Sequence, residues 1–111
     1  MTLLVSFVSL KGGNMLESAY QAGLVKRLEK LFNGCVIMKN DPNYRQGFPD
    51  LLVLFNDGWA VLEVKASETS PYRPNQEWWL DRLRSMSFSA TIFPENEQEV
   101  LKALKEYFGT L

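Results

Sequence analysis

Residues 47–65 of the chain read GFPDLLVLFNDGWAVLEVK, and this stretch decides the fold. Two apolar runs, rich in β-branched and aromatic residues, flank the turn sequence Asn56-Asp57-Gly58. An Asp-Gly pair between two such runs is one of the strongest short-range signals for a β-hairpin. We therefore predict a hairpin in which Asp57 and Gly58 form the two-residue loop of a type I′ turn.

The predicted hairpin gathers charged side chains at its open end. This loop would put Leu52 opposite Glu63 and Asp50 opposite Lys65. Because side chains alternate along a strand, Asp50, Glu63 and Lys65 should share one face, although a slip of one residue would turn Asp50 away. Charges at the end of a buried strand are rare unless they are paired or bound to a metal. The alternatives are a simple strand-entry turn at Pro49-Asp50 and an exposed ion pair between Glu63 and Lys65.

The composition of the chain excludes several classes of protein. Its 111 residues are 46% hydrophobic and 23% charged, as in an ordinary single globular domain. Lys and Arg number 12 against 13 for Asp and Glu, which excludes a wholly basic nucleic-acid binder but not a local basic surface. The chain has no histidine and one cysteine, Cys35, so a thiolate zinc site and Ser-His or Cys-His catalysis are excluded. Any hydrolysis must use carboxylates, lysine and a metal.

The first residues are apolar and form a segment of their own. Residues 1–10 are too short to cross a membrane and lack the charged start and cleavage site of a signal peptide. We expect a leading strand or a flexible arm over residues 1–13 and a single domain over residues 14–111. The expected location is the cytoplasm, with no membrane partner.

The rest of the chain alternates helical and strand patterns. Apolar residues at spacings of three and four predict a first helix ending in Asn33-Gly34, and Pro94 is expected to open a last amphipathic helix. The predicted order is α-β-β-β-α-β-α. The first helix spans 14–32 and the second 75–86, and strands at 35–39 and 89–93 lie on either side of the hairpin in sequence. This order predicts an α/β fold with a central mixed β-sheet flanked by helices.

Two predicted helices carry further polar or aromatic candidates. Glu17 follows Asn14 by three residues, so it is either the carboxylate of a capping box or one more carboxylate at a metal site. Gln76 lies in the first turn of the second helix. Trp78 and Trp79 are adjacent and cannot both face the core, so we expect Trp79 in the core and Trp78 at a rim or a dimer contact.

These residues resemble a known family. An acidic residue in a first helix, Pro-Asp opening one strand and Glu-x-Lys near the end of the next are the pattern of the PD-(D/E)xK nuclease superfamily. More narrowly, residues 45–52 (RQGFPDLL), residues 63–66 (EVKA) and Gln76 followed by Trp79 resemble the compact stand-alone form of the virus-type replication-repair nuclease (VRR-NUC) domain. The likeness spans residues 17–93 and implies a restriction-endonuclease-like core (α-β-β-β-α-β), with the last helix outside it.

The resemblance also implies a metal and a set of site residues. Mg²⁺, with Mn²⁺ as a substitute, is the expected cofactor, and no organic cofactor is expected. Lys65 would orient or deprotonate the attacking water, and Gln76 would position Lys65, water or phosphate. The expected catalytic residues are Asp50, Glu63, Lys65 and Gln76, and the expected metal ligands are Glu17, Asp50, Glu63 and the Val64 carbonyl.

The function implied is that of a metal-dependent, structure-specific DNA endonuclease. The expected substrate is branched or four-way junction DNA, and the expected assembly is a homodimer. Lys39, Arg45 and Arg73 are the expected phosphate contacts, which would position DNA without reading its sequence. Two alternatives are a catalytically inactive DNA-binding or assembly subunit on the same scaffold and a nicking or restriction-like nuclease directed at duplex DNA.

Overall fold

The computed structural model describes residues 13–109 and confirms the predicted α/β order. Its elements are α1 (Gly13–Leu31), β1 (Val36–Lys39), β2 (Leu51–Phe55), β3 (Gly58–Val64), α2 (Gln76–Arg84), β4 (Phe88–Ile92) and α3 (Glu97–Phe108). The prediction of a leading strand or arm lies outside the described residues, except that Gly13 belongs to α1. No helix between residues 13 and 109 has the length and apolar character needed to cross a bilayer.

The four strands form one mixed sheet, as predicted. Their order is β1-β2-β3-β4, with antiparallel pairing of β1 with β2 and of β2 with β3, and parallel pairing of β3 with β4. The connection through α2 is what allows β4 to run parallel to β3. The sheet flanked by helices is consistent with a restriction-endonuclease-like core.

The predicted hairpin is present, but its predicted register is wrong. Phe55 pairs with Gly58, so the loop residues are Asn56 and Asp57, and Leu52 pairs with Val61 rather than with Glu63. Asn56 adopts the left-handed conformation, with φ of 53°, which asparagine tolerates better than most residues. The cross-strand partner moves by two residues, so every side chain keeps its predicted face.

Gly58 lies where packing against α3 leaves little room for a side chain, and its backbone conformation does not itself require glycine. A Cβ atom at Gly58 would lie 3.3 Å from Cε1 of Phe108 in α3. The strand therefore starts where the last helix approaches it closely. This contact between distant segments explains why the short-range Asp-Gly signal placed the loop one residue too late.

The main core lies on the face of the sheet covered by α1 and α3. Its fully buried residues come from both helices and from β2, β3 and β4: Leu24, Leu28, Phe32, Leu51, Val53, Ala60, Leu62, Val64, Ile92 and Leu104. On the opposite face, α2 buries Leu80 and Leu83. The neighbours of Val61 and Glu63 in β4 are Ser89 and Thr91, so the Glu63 side chain emerges on the α2 side.

The predicted start of the last helix is three residues early. Residues 94–96 form a turn in which the Phe93 amide donates to Oδ1 of Asn96, at 2.8 Å, and α3 begins at Glu97. Glu97 joins this helix to α1, because its carboxylate accepts hydrogen bonds from Tyr20 at 2.7 Å and from Arg27 at 2.6 Å.

Candidate active site

Asp50 and Glu63 meet where β2 and β3 open toward the preceding loop. Asp50 stands just before β2, and Oδ2 of Asp50 accepts a hydrogen bond from the Val64 amide at 2.8 Å. The observed register would continue to place Asp50 beside Glu63 and Pro49 beside Val64. Proline has no N–H group to donate to the Val64 carbonyl, and the Pro49 carbonyl accepts Nδ2 of Asn40 at 2.7 Å. The ladder therefore ends there, and the Asp50 carboxylate replaces the Pro49 carbonyl as the acceptor for the Val64 amide.

The Glu63 carboxylate is almost fully buried, with 2% of its surface exposed. Its Oε2 atom accepts a hydrogen bond from Nε2 of Gln76 at 2.7 Å and lies 3.6 Å from Nζ of Lys65. Its Oε1 atom has no hydrogen-bond partner among the residues that the structure describes. A buried oxygen without a partner costs free energy, so a bound group that supplied a partner would stabilise the site.

Lys65 is held in a fixed position by the segment that leads into α2. Its Nζ atom donates to Oε1 of Gln76 at 2.7 Å and to the Pro71 carbonyl at 3.0 Å, and the ring of Tyr72 lies 5.5 Å away. Oε1 of Gln76 also accepts the Arg73 amide at 2.6 Å. Because that amide oxygen faces two donors, the amide nitrogen of Gln76 must face Glu63.

Burial and mutual repulsion raise the pKa values of the carboxylates. Burial, followed by the nearby charge of Asp50, raises the pKa of Glu63 to about 8. Burial also raises the pKa of Asp50, against the lowering effect of the Val64 amide. Glu17 shows the same direction, because burial and Asp50 raise its pKa more than Lys65 and Arg73 lower it. The site therefore holds more negative charge than its own residues stabilise.

A divalent cation would balance the negative charge of the two carboxylates, which the surrounding protein groups do not balance fully. Within residues 13–109, no three acidic or cysteine side chains lie close enough together to form a metal site by themselves. Two carboxylates with one unpartnered buried oxygen are nevertheless a hard-oxygen donor set of the kind that Mg²⁺ takes, with water completing its shell. The residues at the site therefore fit the metal that the resemblance implies.

Glu17 lines the same cavity as Asp50. The cavity has a volume of about 350 Å³ and is lined by Glu17, Ser18, Gln21, Lys39, Asn40, Pro42, Asp50 and Arg73. The helix begins at Gly13, ahead of Asn14, so Asn14 does not precede the helix as a capping box requires. Glu17 thus shares a cavity with Asp50, and its role as a metal ligand stays a prediction.

The three predicted phosphate contacts line two neighbouring cavities that share Lys39. Lys39 and Arg73 line the cavity beside Asp50. Lys39 and Arg45 line the second cavity, and the Arg45 guanidinium lies 5.6 Å from the ring centroid of Trp79. Trp79 is half-buried against Phe48, at 5.0 Å between ring centroids, and is not in the core as predicted, whereas Trp78 is exposed as predicted.

Gly47 holds the loop before Asp50 against the start of α2. Its φ is +84°, and a Cβ atom there would lie 2.6 Å from the Pro74 carbonyl oxygen and 2.8 Å from Asn75. Only glycine allows both the conformation and the close approach. Sequence reasoning used Gly47 as part of a motif but did not find this contact, nor that of the Pro71 carbonyl with Lys65, because backbone contacts leave no pattern in the sequence.

Replacing Gly47 by alanine should displace this loop and Asp50 with it. We expect Gly47→Ala to lower the free energy of unfolding by about 2 kcal/mol or more through strain and backbone collision. Gly34→Ala is the matched control, since Gly34 has φ of +91° but nothing within 4 Å of the added atom. Thermal or urea unfolding would measure both variants, and equal losses would contradict the contact assigned to Gly47.

The chain is similar to a solved structure described as a VRR_NUC domain. The match has a TM-score of 0.63 and 28% sequence identity, and covers 83% of this chain and 97% of that chain. No family model matches the chain, and a search of curated proteins finds no relative. The structural match confirms the resemblance to the VRR-NUC domain that the sequence predicts.

Proposed function

We propose that this chain is a metal-dependent, structure-specific DNA endonuclease that hydrolyses phosphodiester bonds in branched or four-way junction DNA. One observation carries the proposal: the half-buried Asp50 carboxylate lies close enough to the buried Glu63 carboxylate to raise the pKa of Glu63, and Oε1 of Glu63 has no partner among the described residues. Buried acidic pairs are costly, and their pKa shifts mark functional sites more often than structural ones. The homology to a nuclease domain agrees with this chemistry.

The proposed metal ligands are Asp50, Glu63 and the Val64 carbonyl. The amide and carbonyl of a strand residue point to the same side, so the Val64 carbonyl faces the Asp50 side, where Pro49 offers no donor. Glu17 lines the cavity that Asp50 lines and would act through water. When bound, Mg²⁺ or Mn²⁺ would acidify water and neutralise charge on the phosphate.

Lys65 and Gln76 are the proposed partners of the acidic pair in catalysis. The Lys65 ammonium, 3.6 Å from Glu63, would offset the negative charge that develops on the phosphate and orient the attacking water. Gln76 fixes the ammonium by accepting its hydrogen bond at 2.7 Å. The carboxylate, the amide and the ammonium thus form one connected network in which each group limits the movement of the next.

Lys39 and Arg73 are proposed to hold the DNA backbone beside the acidic pair. Both line the cavity that Asp50 also lines, and basic side chains there would balance the repulsion between phosphate and carboxylates. Such contacts position DNA without selecting a sequence. Substrate choice would then depend on the shape of the DNA.

The proposal is tested by cleavage of a matched set of labelled DNAs. Four-way junction, forked, duplex and single-stranded DNA of equal length would be incubated with the protein and Mg²⁺, Mn²⁺ or EDTA. We expect metal-dependent cleavage that is fastest on branched DNA and absent in Asp50→Asn. Equal cleavage of duplex DNA would favour the duplex-directed alternative, and binding without cleavage would favour an inactive subunit.

Without metal, the stability of the protein should fall as pH rises from about 5 to 8. Because the pKa of Glu63 is raised from 4.5 to about 8, the folded protein retains a proton that the unfolded chain releases in this range, and unfolding becomes easier. The chain has no histidine to titrate there. The melting temperature in EDTA would measure the fall in stability. Mg²⁺ should raise the melting temperature more at pH 8 than at pH 5. A melting temperature in EDTA that is the same at pH 5 and pH 8 would contradict the assigned shift.

We further propose that the chain works as a homodimer, since cutting two strands of a junction needs two sites. Supporting residues lie on β1, at the edge of the sheet that the described residues form, where Val36 and Met38 are 53% and 52% exposed and Val36 is paired with the exposed Leu54. Size-exclusion chromatography with light scattering should give a mass near twice 12.7 kDa. Met38→Lys should halve it, and a wild-type monomer would contradict the proposal.

A further inference from the structure

A group of aromatic side chains lies beside the acidic pair and takes no part in the proposed chemistry. We call this group, together with one arginine that joins it, the aromatic ledge. Its aromatic members are Tyr44, Phe48, Trp78 and Trp79, and the arginine is Arg45. Tyr44 is 82% exposed and Trp78 is 60% exposed. Single exposed aromatic residues are common, but a connected group of them marks an interaction surface.

The ledge is continuous because each member contacts the next. The Arg45 guanidinium lies 5.9 Å from the ring centroid of Tyr44 and 5.6 Å from that of Trp79. The ring of Trp79 contacts Phe48 at 5.0 Å and Trp78 at 4.9 Å, with interplanar angles of 69° and 82°. These contacts fix Trp79 and Arg45, while Tyr44 and Trp78 keep most of their surface free.

The ledge borders the acidic pair through shared cavity walls. Its own cavity, of about 290 Å³, is lined by Lys39, Asn40, Asp41, Tyr44, Arg45 and Phe48. Phe48 also lines a cavity with Asp50 and Gln76. The carboxylate of Asp41 accepts the Asn43 amide at 2.9 Å. A DNA strand that ran from Asp50 past Phe48 would therefore reach the ledge.

We propose that the aromatic ledge stacks on unpaired DNA bases next to the phosphate that is cut. This inference rests on the proposed nuclease function and narrows its substrate class to DNA with unpaired nucleotides at or beside a branch. An aromatic ring or a guanidinium stacks only on a base whose face is free, and bases within a duplex are already stacked. Lys39 and Arg45 supply the positive charge that the adjoining phosphates need.

The test compares two DNAs that differ only in pairing. A perfect duplex and a fork of the same length, with 2-aminopurine in the unpaired arm beside the fork, would be titrated in the Asp50→Asn background so that both stay intact. We expect the fork to bind about 5- to 100-fold more tightly than the duplex. Adding Trp78→Ala and Tyr44→Ala should bring this ratio close to one.

Two controls separate stacking from folding. Trp78→Phe keeps an aromatic face and should keep both the ratio and the quenching of 2-aminopurine on binding. Met86→Ala removes another exposed apolar side chain, 53% exposed and beyond the far end of α2, and should change neither. Quenching that survives Trp78→Ala and Tyr44→Ala together would contradict stacking even if affinity fell.

The possible failures of the two proposals are distinguishable. Two results would overturn the role of the ledge and leave the nuclease proposal intact. In the first, the wild type cleaves DNA but fork and duplex bind equally tightly. In the second, the ratio of fork to duplex affinity is unchanged by the double substitution. Failure of the wild type to bind or cleave any DNA overturns both.

Discussion

Glu63→Gln should abolish cleavage and at the same time make the metal-free protein more stable. The loss of one ligand charge is expected to lower the rate by about 10³-fold or more, comparable to the loss of a main electrostatic group in other enzymes. The gain in stability follows because Glu63, with its pKa raised to about 8, is costly to ionise in the fold. At pH 8 in EDTA, the melting temperature should rise.

The glutamine side chain can be accommodated without loss of packing. Its amide oxygen can take the place of Oε2, which accepts Nε2 of Gln76. Its amide nitrogen would then stand where Oε1 has no partner among the described residues, next to the Asp50 carboxylate, to which it can donate. A Glu63→Gln protein that is less stable in EDTA and still active would contradict both the burial cost and the metal role.

Lys65→Met should also abolish cleavage, but with the opposite effect on stability. Loss of a positioned ammonium is expected to lower the rate by about 10²- to 10⁴-fold. Lys65 is only 4% exposed and lies 3.6 Å from Glu63, so its removal leaves a buried carboxylate without compensation. Circular dichroism melting should show a lower melting temperature than in the wild type.

Lys102→Met is the matched control for this substitution, since Lys102 is exposed on α3. It should change neither the rate nor the melting temperature. If Lys65→Met cleaved DNA at the wild-type rate, Lys65 would have no part in the reaction, and the observed cleavage would need another source.

Local patterns predicted the elements well because the pattern and the packing agree in most of this chain. The predicted faces of the side chains in β2 and β3 were correct although the predicted hairpin register was wrong, because a shift of two residues keeps each side chain on its face. The turn itself could not be placed from the sequence, because Asn56 takes the left-handed conformation and Gly58 is needed against Phe108.

The candidate site was predicted in its side chains but not in its supporting contacts. Asp50, Glu63, Lys65 and Gln76 could be named because their residue types and spacing form a motif. The contacts of Lys65 with the Pro71 carbonyl and of Gln76 with the Arg73 amide depend on backbone atoms, which any residue supplies. Trp79 was misplaced for a related reason, since its partner Phe48 comes from a loop whose path the sequence does not reveal.

The most direct test of the central claim is a crystal structure of the protein grown with Mn²⁺ and measured at a wavelength where manganese scatters anomalously. We expect one strong anomalous peak between Asp50 and Glu63, from a manganese ion coordinated by an oxygen of each residue, with Oε1 of Glu63 among the ligands. A manganese site elsewhere, or an Asp50 side chain turned away from Glu63 with no peak between them, would contradict the central claim.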